Sequence, residues 1–171
     1  FVYPERYAQA LTSFDITVPA MQFFASVWGE YPYVGEKYGM FSTPTGPAVE
    51  EQTLTAYPYG FINGSHSYDW LLVHEMAHQW FGSTVGYATY HDQWLSEGFA
   101  EYAALLYYRQ EFGEEKFREK LKDYRKEIFS ARKYLLWDGE ESGPIILGFR
   151  TASSKTEGDY GLIIYSKAAL G

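Results

Sequence analysis

Residues 73–82 read Val-His-Glu-Met-Ala-His-Gln-Trp-Phe-Gly, and this stretch constrains the fold more than any other. His74 and His78 are four residues apart, so on an α-helix both imidazoles project from one face. Two neutral imidazoles at that spacing can bind one Zn²⁺. Glu75 lies one residue further round the helix, beside the metal, where a general base for a zinc-bound water belongs. The stretch therefore predicts a helix, and a catalytic zinc bound to it would need a third ligand from elsewhere in the chain.

Glu97 is the candidate for the third ligand. It follows His78 with 18 residues between them, which allows a helix to end, a loop to form and an antiparallel helix to return. His74, His78 and Glu97 with one water make the thermolysin ligand set. In a site with this ligand set, zinc polarises the scissile carbonyl. Glu75 would take the proton of the water and pass it to the leaving amine. The alternative is a surface helix with two incidental histidines, and Glu97 at this spacing argues against it.

Composition narrows the chemistry and the partners. The chain has no Cys, so thiolate-bound zinc, disulfides and a Cys nucleophile are excluded, and any metal must use His and carboxylate ligands. The net charge of −8 argues against nucleic acid and anionic membranes, and it is compatible with a cationic ligand such as a peptide's free N-terminus. No apolar run approaches the roughly 18–20 residues of a membrane span.

Length and termini bear on domain organisation. The 171 residues suffice for one domain with a sizeable core, spanning 1–171. The chain has neither an initiator Met nor a signal peptide, which indicates a piece excised from a longer chain. The compartment stays open between cytoplasm, periplasm and extracellular space.

Hydrophobic periodicity predicts helices, then short strands, then helices again. We expect one or two short helices in residues 4–28 and strands in residues 38–42 and 49–57. The metal-binding helix should cover residues 67–81, capped by Ser67 or Asp69 and stopped by Gly82. A third helix should run over residues 94–112 to Gly113, and its apolar side should carry Phe99, Tyr102, Ala103, Leu106 and Tyr107. A charged amphipathic helix (114–136), a loop-like region (138–161) and a helix start (162–171) follow.

Two motifs together resemble one family. Residues 74–82, followed by Trp-Leu-Ser-Glu-Gly-Phe-Ala-Glu-Tyr at 94–102, are similar to the aminopeptidase N family of gluzincin metallopeptidases, which includes leukotriene hydrolase. The resemblance extends from about residue 31 to the end. It implies a thermolysin-like α+β zincin catalytic domain, with a small mixed or antiparallel sheet beside the zinc helix and mainly helices after it. It also implies flanking domains that this chain lacks, and hence C-terminal truncation.

The resemblance further implies a substrate-binding segment. The family's G-A-M-E-N motif, on an edge strand bordering the cleft, corresponds to residues 47–51, Pro-Ala-Val-Glu-Glu. Glu50 would bind the substrate's α-ammonium, with Ala48 and Val49 in the same segment, whereas Pro47, Val49 and Glu51 depart from the family pattern. Without the resemblance, Glu50 would be read as an exposed acid.

A second implied motif supplies a hydrogen-bond donor. The family's Y-x-K-G segment corresponds to residues 165–168, Tyr-Ser-Lys-Ala, so Tyr165 would donate to the oxyanion of the tetrahedral intermediate. Ala168 stands where the family has Gly. Tyr160 resembles a second tyrosine of the cleft.

Two further acids are candidates for supporting the metal ligands. Asp92 precedes Trp94 where the family often has an acid near the zinc, and it could hold an imidazole or cap its own loop. Glu101 lies one turn after Glu97 and could support the ligands, although its position favours a solvated side chain.

The predicted function is a zinc-dependent aminopeptidase with one Zn²⁺, acting on peptides with a free N-terminus. One alternative is a zinc endopeptidase or other zinc hydrolase on the same scaffold, if the Glu50 segment is displaced. Another is a zinc-stabilised fragment that is inactive without its neighbouring domains.

Overall fold

The computed structural model describes residues 1–134, residue 145 and residues 162–170. Most of the predicted loop-like region, including Tyr160, lies outside the described residues. The chain divides into two compact units, 1–84 and 85–171, which we describe in turn. Organisation as a single domain stays a prediction. Within the described ranges, no helix has both the length and the hydropathy needed to cross a bilayer.

The first unit begins with two short helices, as predicted. A 3-10 turn at Pro4–Arg6 leads into α1 (Tyr7–Ser13), and α2 (Thr17–Trp28) follows after a tight turn. Pro4 starts the turn because its fixed φ is already helical and its missing N–H is not needed there. Gly29 ends α2 with φ of 92°, a backbone conformation that favours glycine.

The sheet of this unit is mixed. Strands β1 (Gly39–Thr43) and β2 (Leu54–Pro58) pair in parallel, from Gly39 opposite Leu54 to Thr43 opposite Pro58. On the other edge of β2, Val49 forms an antiparallel bridge with Ala56. Two parallel strands must be joined by a crossover connection. Here the chain between β1 and β2 runs along the far edge of β2, at Val49, before it turns and enters β2. A single strand was predicted over residues 49–57. The structure has a shorter strand, β2, because Val49 lies on its edge and not within it.

Helix α3 (Asp69–Ala77) carries the His-Glu-x-x-His motif at its C-terminal end. It is shorter than the predicted 67–81, because residues 78–80 continue as tighter turns, in which the Trp80 N–H donates to the Ala77 carbonyl. The predicted cap is wrong: Tyr68 occupies the N-cap position and no side chain caps the helix. Gly82 ends the segment as predicted, with φ of 115°.

Aromatic packing fixes the end of this segment. Every residue from 72 to 80 is buried, so the helix is enclosed around most of its circumference. The Trp80 ring meets Phe24 edge-on at 5.6 Å, and its indole N–H donates to the Gly29 carbonyl at 3.2 Å. The Phe81 ring packs against Trp28. These contacts attach the histidine-bearing segment to the C-terminal end of α2.

The second unit is a helical hairpin closed by a third helical segment. Helix α4 (Trp94–Tyr134) is interrupted at Gly113, where φ is 83° and ψ is 175°. The Tyr124 hydroxyl donates a hydrogen bond to Glu101, although 23 residues of straight helix would separate them by roughly 34 Å. The two arms of α4, before and after Gly113, therefore fold back on each other. The C-terminal helix consists of π-helical Leu162–Lys167 and α-helical Ala168–Leu170.

Alanines line the buried face of the first arm. Ala100, Ala103 and Ala104 are almost fully buried, whereas Phe99 is 45% and Tyr102 is 40% exposed. The predicted apolar side was therefore wrong for these two aromatic residues. Close packing against neighbouring helical segments suits small side chains at these three positions, whereas Leu105 and the ring of Tyr107 are buried further along the same arm.

Gly98 of α4 packs closely against Ala168 of the C-terminal helix. A Cβ built on Gly98 would overlap the Cβ of Ala168, closer than two such atoms approach in real proteins. We expect Gly98→Ala to lower the free energy of unfolding by about 1–3 kcal/mol, as overpacking does. Chemical denaturation measures this.

The Ala168→Gly substitution supplies the matched test. In the Gly98→Ala background it removes the overlapping methyl group, so it should recover most of the lost stability. Gly60→Ala is the control, because nothing lies within 4 Å of a Cβ built there. Unchanged stability of Gly98→Ala would contradict the packing described.

Candidate functional site

The two histidines of α3 are placed for one metal ion. His74 and His78 are 6% and 1% exposed, and their Nε2 atoms lie 3.2 Å apart. Two nitrogen ligands at about 2.0–2.1 Å from a tetrahedral zinc would be roughly 3.3 Å apart. The rings are nearly perpendicular, at 83°. The spacing of the two imidazoles therefore fits a shared zinc ion.

A backbone carbonyl orients the second imidazole. His78 Nδ1 lies 3.0 Å from the carbonyl oxygen of Phe81, so an N–H at Nδ1 donates to that oxygen. The proton then resides on Nδ1 and leaves a lone pair on Nε2, which is the form that binds a metal. The tight turns after Ala77, which bring Phe81 back towards His78, thus prepare the ligand.

Glu50 lies beside this helix. The Val49 N–H donates to the Ala56 carbonyl at 3.0 Å and the Ala56 N–H returns a bond at 2.9 Å, so the residue before Glu50 is fixed on the edge of β2. Glu50 is half-buried, and oxygens of Glu50 and Glu75 and a ring nitrogen of His78 all lie within 4.8 Å of one another. The structure thus brings together four sequence-predicted residues of the first unit. Ala48 and Val49 belong to the same edge segment.

Two tyrosines of the first unit, Tyr38 and Tyr57, interact electrostatically with Glu75. The Tyr38 hydroxyl is 2.9 Å from the Thr55 hydroxyl, and the Tyr57 hydroxyl donates to the Tyr68 carbonyl. Burial raises the pKa of both tyrosines well above its usual value, and the nearby Glu75 carboxylate adds to each shift. The shifts keep both phenols protonated well into the alkaline range.

The remaining predicted acids lie in the second unit. Glu97 is buried in the first turn of α4, where the helix dipole favours a negative charge. Asp92 accepts a hydrogen bond from the Thr89 hydroxyl at 2.9 Å, as a loop cap does. The prediction that Glu101 is solvated is wrong, because its side chain is only 7% exposed and accepts a hydrogen bond from Tyr124.

Tyr165 is half-buried in the π-helical part of the C-terminal helix. The next residue, Ser166, is buried, and its hydroxyl donates to Glu127 on the second arm of α4 at 3.0 Å. Three residues after Tyr165, Ala168 meets Gly98 on the first arm. The helix that carries Tyr165 is thus attached to both arms of α4.

Sequence reasoning missed Gln79 and Tyr38. Gln79 is fully buried, and both ends of its carboxamide bond to the backbone of residues 51–53. Its position directly after His78 was the available signal, but an amide side chain has no chemistry that singles it out. Tyr38 is one of 17 tyrosines, so its place near Glu75 could not be selected from composition.

A buried helix carrying His-Glu-x-x-His beside a small mixed sheet defines the zincin class of metallopeptidases. The model of the peptidase family M1 domain matches residues 13–169. This chain therefore belongs to peptidase family M1. Zinc is the metal that this family implies, and the buried His and Glu side chains of the chain are suitable ligands.

Relatives agree with this placement. Aminopeptidase N of Oryctolagus cuniculus is 32% identical over 103 residues, which cover 54% of this chain and 11% of that protein. Aminopeptidase B of Mus musculus is 32% identical over 101 residues, covering 58% of this chain and 14% of that protein. The chain thus spans a small part of the length of these relatives.

Solved structures share the fold. A variant of the M1 zinc metallopeptidase from Deinococcus radiodurans, bound to a Tyr-Ser-Ala substrate, has a TM-score of 0.70 and 26% identity, and the match covers 91% of this chain and 31% of that one. Native yeast LTA4 hydrolase has a TM-score of 0.81 over 99% of this chain and 27% of its own, with 17% identity, so it supports the fold alone.

Proposed function

We propose that this chain is the catalytic part of a zinc-dependent aminopeptidase, which removes the N-terminal residue from peptides. The observation that carries the proposal is the group formed by Glu50, Glu75 and His78, whose oxygens and ring nitrogen lie within 4.8 Å of one another. A carboxylate at that distance from a metal ligand is placed to hold a cationic group one residue from the scissile bond. The aminopeptidase relatives and the tripeptide bound to the Deinococcus enzyme support the same substrate class.

His74, His78 and Glu97 would hold the zinc ion. The spacing of the imidazoles and the tautomer set by Phe81 support the first two ligands. Glu97 is proposed from its position 19 residues after His78 and from its burial. When bound, zinc polarises the scissile carbonyl and lowers the pKa of the attacking water.

The side chains of the chain would carry the remaining steps. Glu50 binds the α-ammonium and so orients the first peptide bond of the substrate. Glu75 accepts a proton from the attacking water and returns it to the leaving amine. Tyr165 donates its phenolic hydrogen bond to the oxyanion of the tetrahedral intermediate.

Substitution of Glu50 tests the substrate class. Glu50→Gln keeps the shape and removes the charge that binds the α-ammonium. We expect kcat/KM for aminoacyl-nitroanilides with a free amine to fall roughly 10- to 100-fold, the worth of a charged hydrogen bond. Glu51→Gln is the matched control, because Glu51 is the exposed neighbouring acid and should leave the rate unchanged.

The wild-type protein distinguishes the alternatives. Equal cleavage of N-acetylated and free substrates would refute the role of Glu50 and favour an endopeptidase or another zinc hydrolase. Zinc occupancy without turnover across a panel of aminoacyl substrates would favour the inactive-fragment reading.

A further inference from the structure

Gln79 connects the end of the metal-binding segment to the turn that follows Glu50. Its side chain is fully buried. The Thr53 N–H donates to Oε1 at 2.8 Å, and Nε2 donates to the Glu51 carbonyl at 3.3 Å. One carboxamide thus satisfies a donor and an acceptor of the same short turn, so the two bonds fix its orientation as well as its position.

The turn that Gln79 holds is under conformational strain. The Leu54 N–H donates to the Glu51 carbonyl at 3.1 Å and closes a β-turn over residues 51–54. Thr53 occupies its third position with φ of 62°, and it is the single non-glycine residue with positive φ in the part of the chain that the structure describes. A β-branched residue is disfavoured there, so the turn needs outside support to persist.

Glu50 takes its position from this turn. The Glu51 N–H donates back to the Val49 carbonyl at 3.0 Å, which makes Glu50 the central residue of a tight three-residue turn. Val49 is anchored on Ala56, and Glu51 is held by Gln79. Both neighbours of Glu50 are therefore fixed through the backbone.

We propose that Gln79 is a positioning residue for substrate recognition. By holding residues 51 and 53, it keeps the Glu50 carboxylate in place beside Glu75 and His78. Gln79 acts through Glu50 and does not itself contact substrate. The inference rests on the proposed function, because it gives Glu50 the role of binding the α-ammonium.

The test uses Gln79→Met in the full polypeptide. Methionine fills a similar volume and removes both hydrogen bonds. Amide hydrogen exchange at Thr53 should accelerate about tenfold, the factor that one buried hydrogen bond is worth. The preference for free over N-acetylated aminoacyl-nitroanilides should fall roughly 10- to 100-fold, as misplacement of a recognition group by about 1 Å does. The loss should be in KM more than in kcat, and bound zinc should stay at the wild-type level.

A second substitution separates positioning from a general packing role. Glycine adopts positive φ without strain, so Thr53→Gly in the Gln79→Met background should let the turn form without Gln79 and restore most of the preference. A defect in packing of the core would not be repaired this way. Gln52→Met is the control, because Gln52 is exposed in the same turn and should behave as wild type.

Two results would overturn the proposal. One is wild-type exchange at Thr53 in Gln79→Met, and the other is an unchanged preference for the free amine despite faster exchange. Failure of the proposed function would give a different result. The wild-type protein would then show no preference for the free amine, while Gln79→Met would still show faster exchange of the Thr53 amide. That outcome would support the conclusion that Gln79 stabilises the turn, and it would refute the role of Glu50 in binding the α-ammonium.

Discussion

Glu75→Gln should lower kcat/KM for aminoacyl-coumarin substrates by about 10²–10⁴-fold, while the protein keeps its zinc. The amide has the shape of the carboxylate but cannot accept a proton from water at neutral pH. Glu75 is only 6% exposed, so bulk solvent cannot easily replace it as a base. The measurement pairs steady-state kinetics with zinc analysis of the same protein samples.

Controls for this substitution must separate proton transfer from metal binding. Glu36→Gln removes an exposed acid of the same unit and should leave the rate unchanged. Loss of zinc together with activity would mean that Glu75 supports the metal rather than acting as a base. Retention of more than about a tenth of the activity with full zinc would lie outside the range of general-base catalysis and would refute its role.

Tyr165→Phe should lower kcat by about 10²–10³-fold with little change in KM. The expected pattern follows because the phenol's hydrogen bond strengthens only as negative charge develops on the carbonyl oxygen in the transition state. Phenylalanine keeps the ring that is half-buried in the C-terminal helix, so packing should be retained.

The control for Tyr165 tests for a nonspecific effect of losing a phenol. Tyr7→Phe removes the hydroxyl of an exposed tyrosine on α1 and should have wild-type kinetics. Thermal denaturation of Tyr165→Phe should match wild type. An unchanged kcat would transfer the donor role to another group, and a raised KM with unchanged kcat would make Tyr165 a binding residue.

Local rules predicted much of this fold because several elements are bounded by glycine. Gly29, Gly82 and Gly113 all have positive φ, and each ends or breaks a helical segment where the sequence indicated. The histidine spacing predicted a shared metal site because α-helical periodicity alone brings i and i+4 side chains together. The pair lies 3.2 Å apart at Nε2, although the second histidine already stands at the helix end.

What the sequence could not predict depends on tertiary contacts. Glu101 reads as a solvated acid on a charged helix, and it is buried because the second arm of α4 returns and presents Tyr124. The periodicity placed Phe99 and Tyr102 among the core residues, yet both are substantially exposed, because the buried face of this arm is turned towards Ala100, Ala103 and Ala104. The parallel pairing of β1 and β2 likewise depends on a connection that runs along the far edge of β2.

The contacts of the C-terminal helix have a mechanical consequence for α4. The arms are joined covalently at Gly113, so they can separate only at the opposite, open end of the hairpin. Ala168 touches the first arm at Gly98, and Ser166 bonds the second arm at Glu127, both near that open end. The C-terminal helix therefore joins the two arms at the end of the hairpin opposite Gly113. Loss of either contact would therefore leave the helix that carries Tyr165 attached to only one arm of α4.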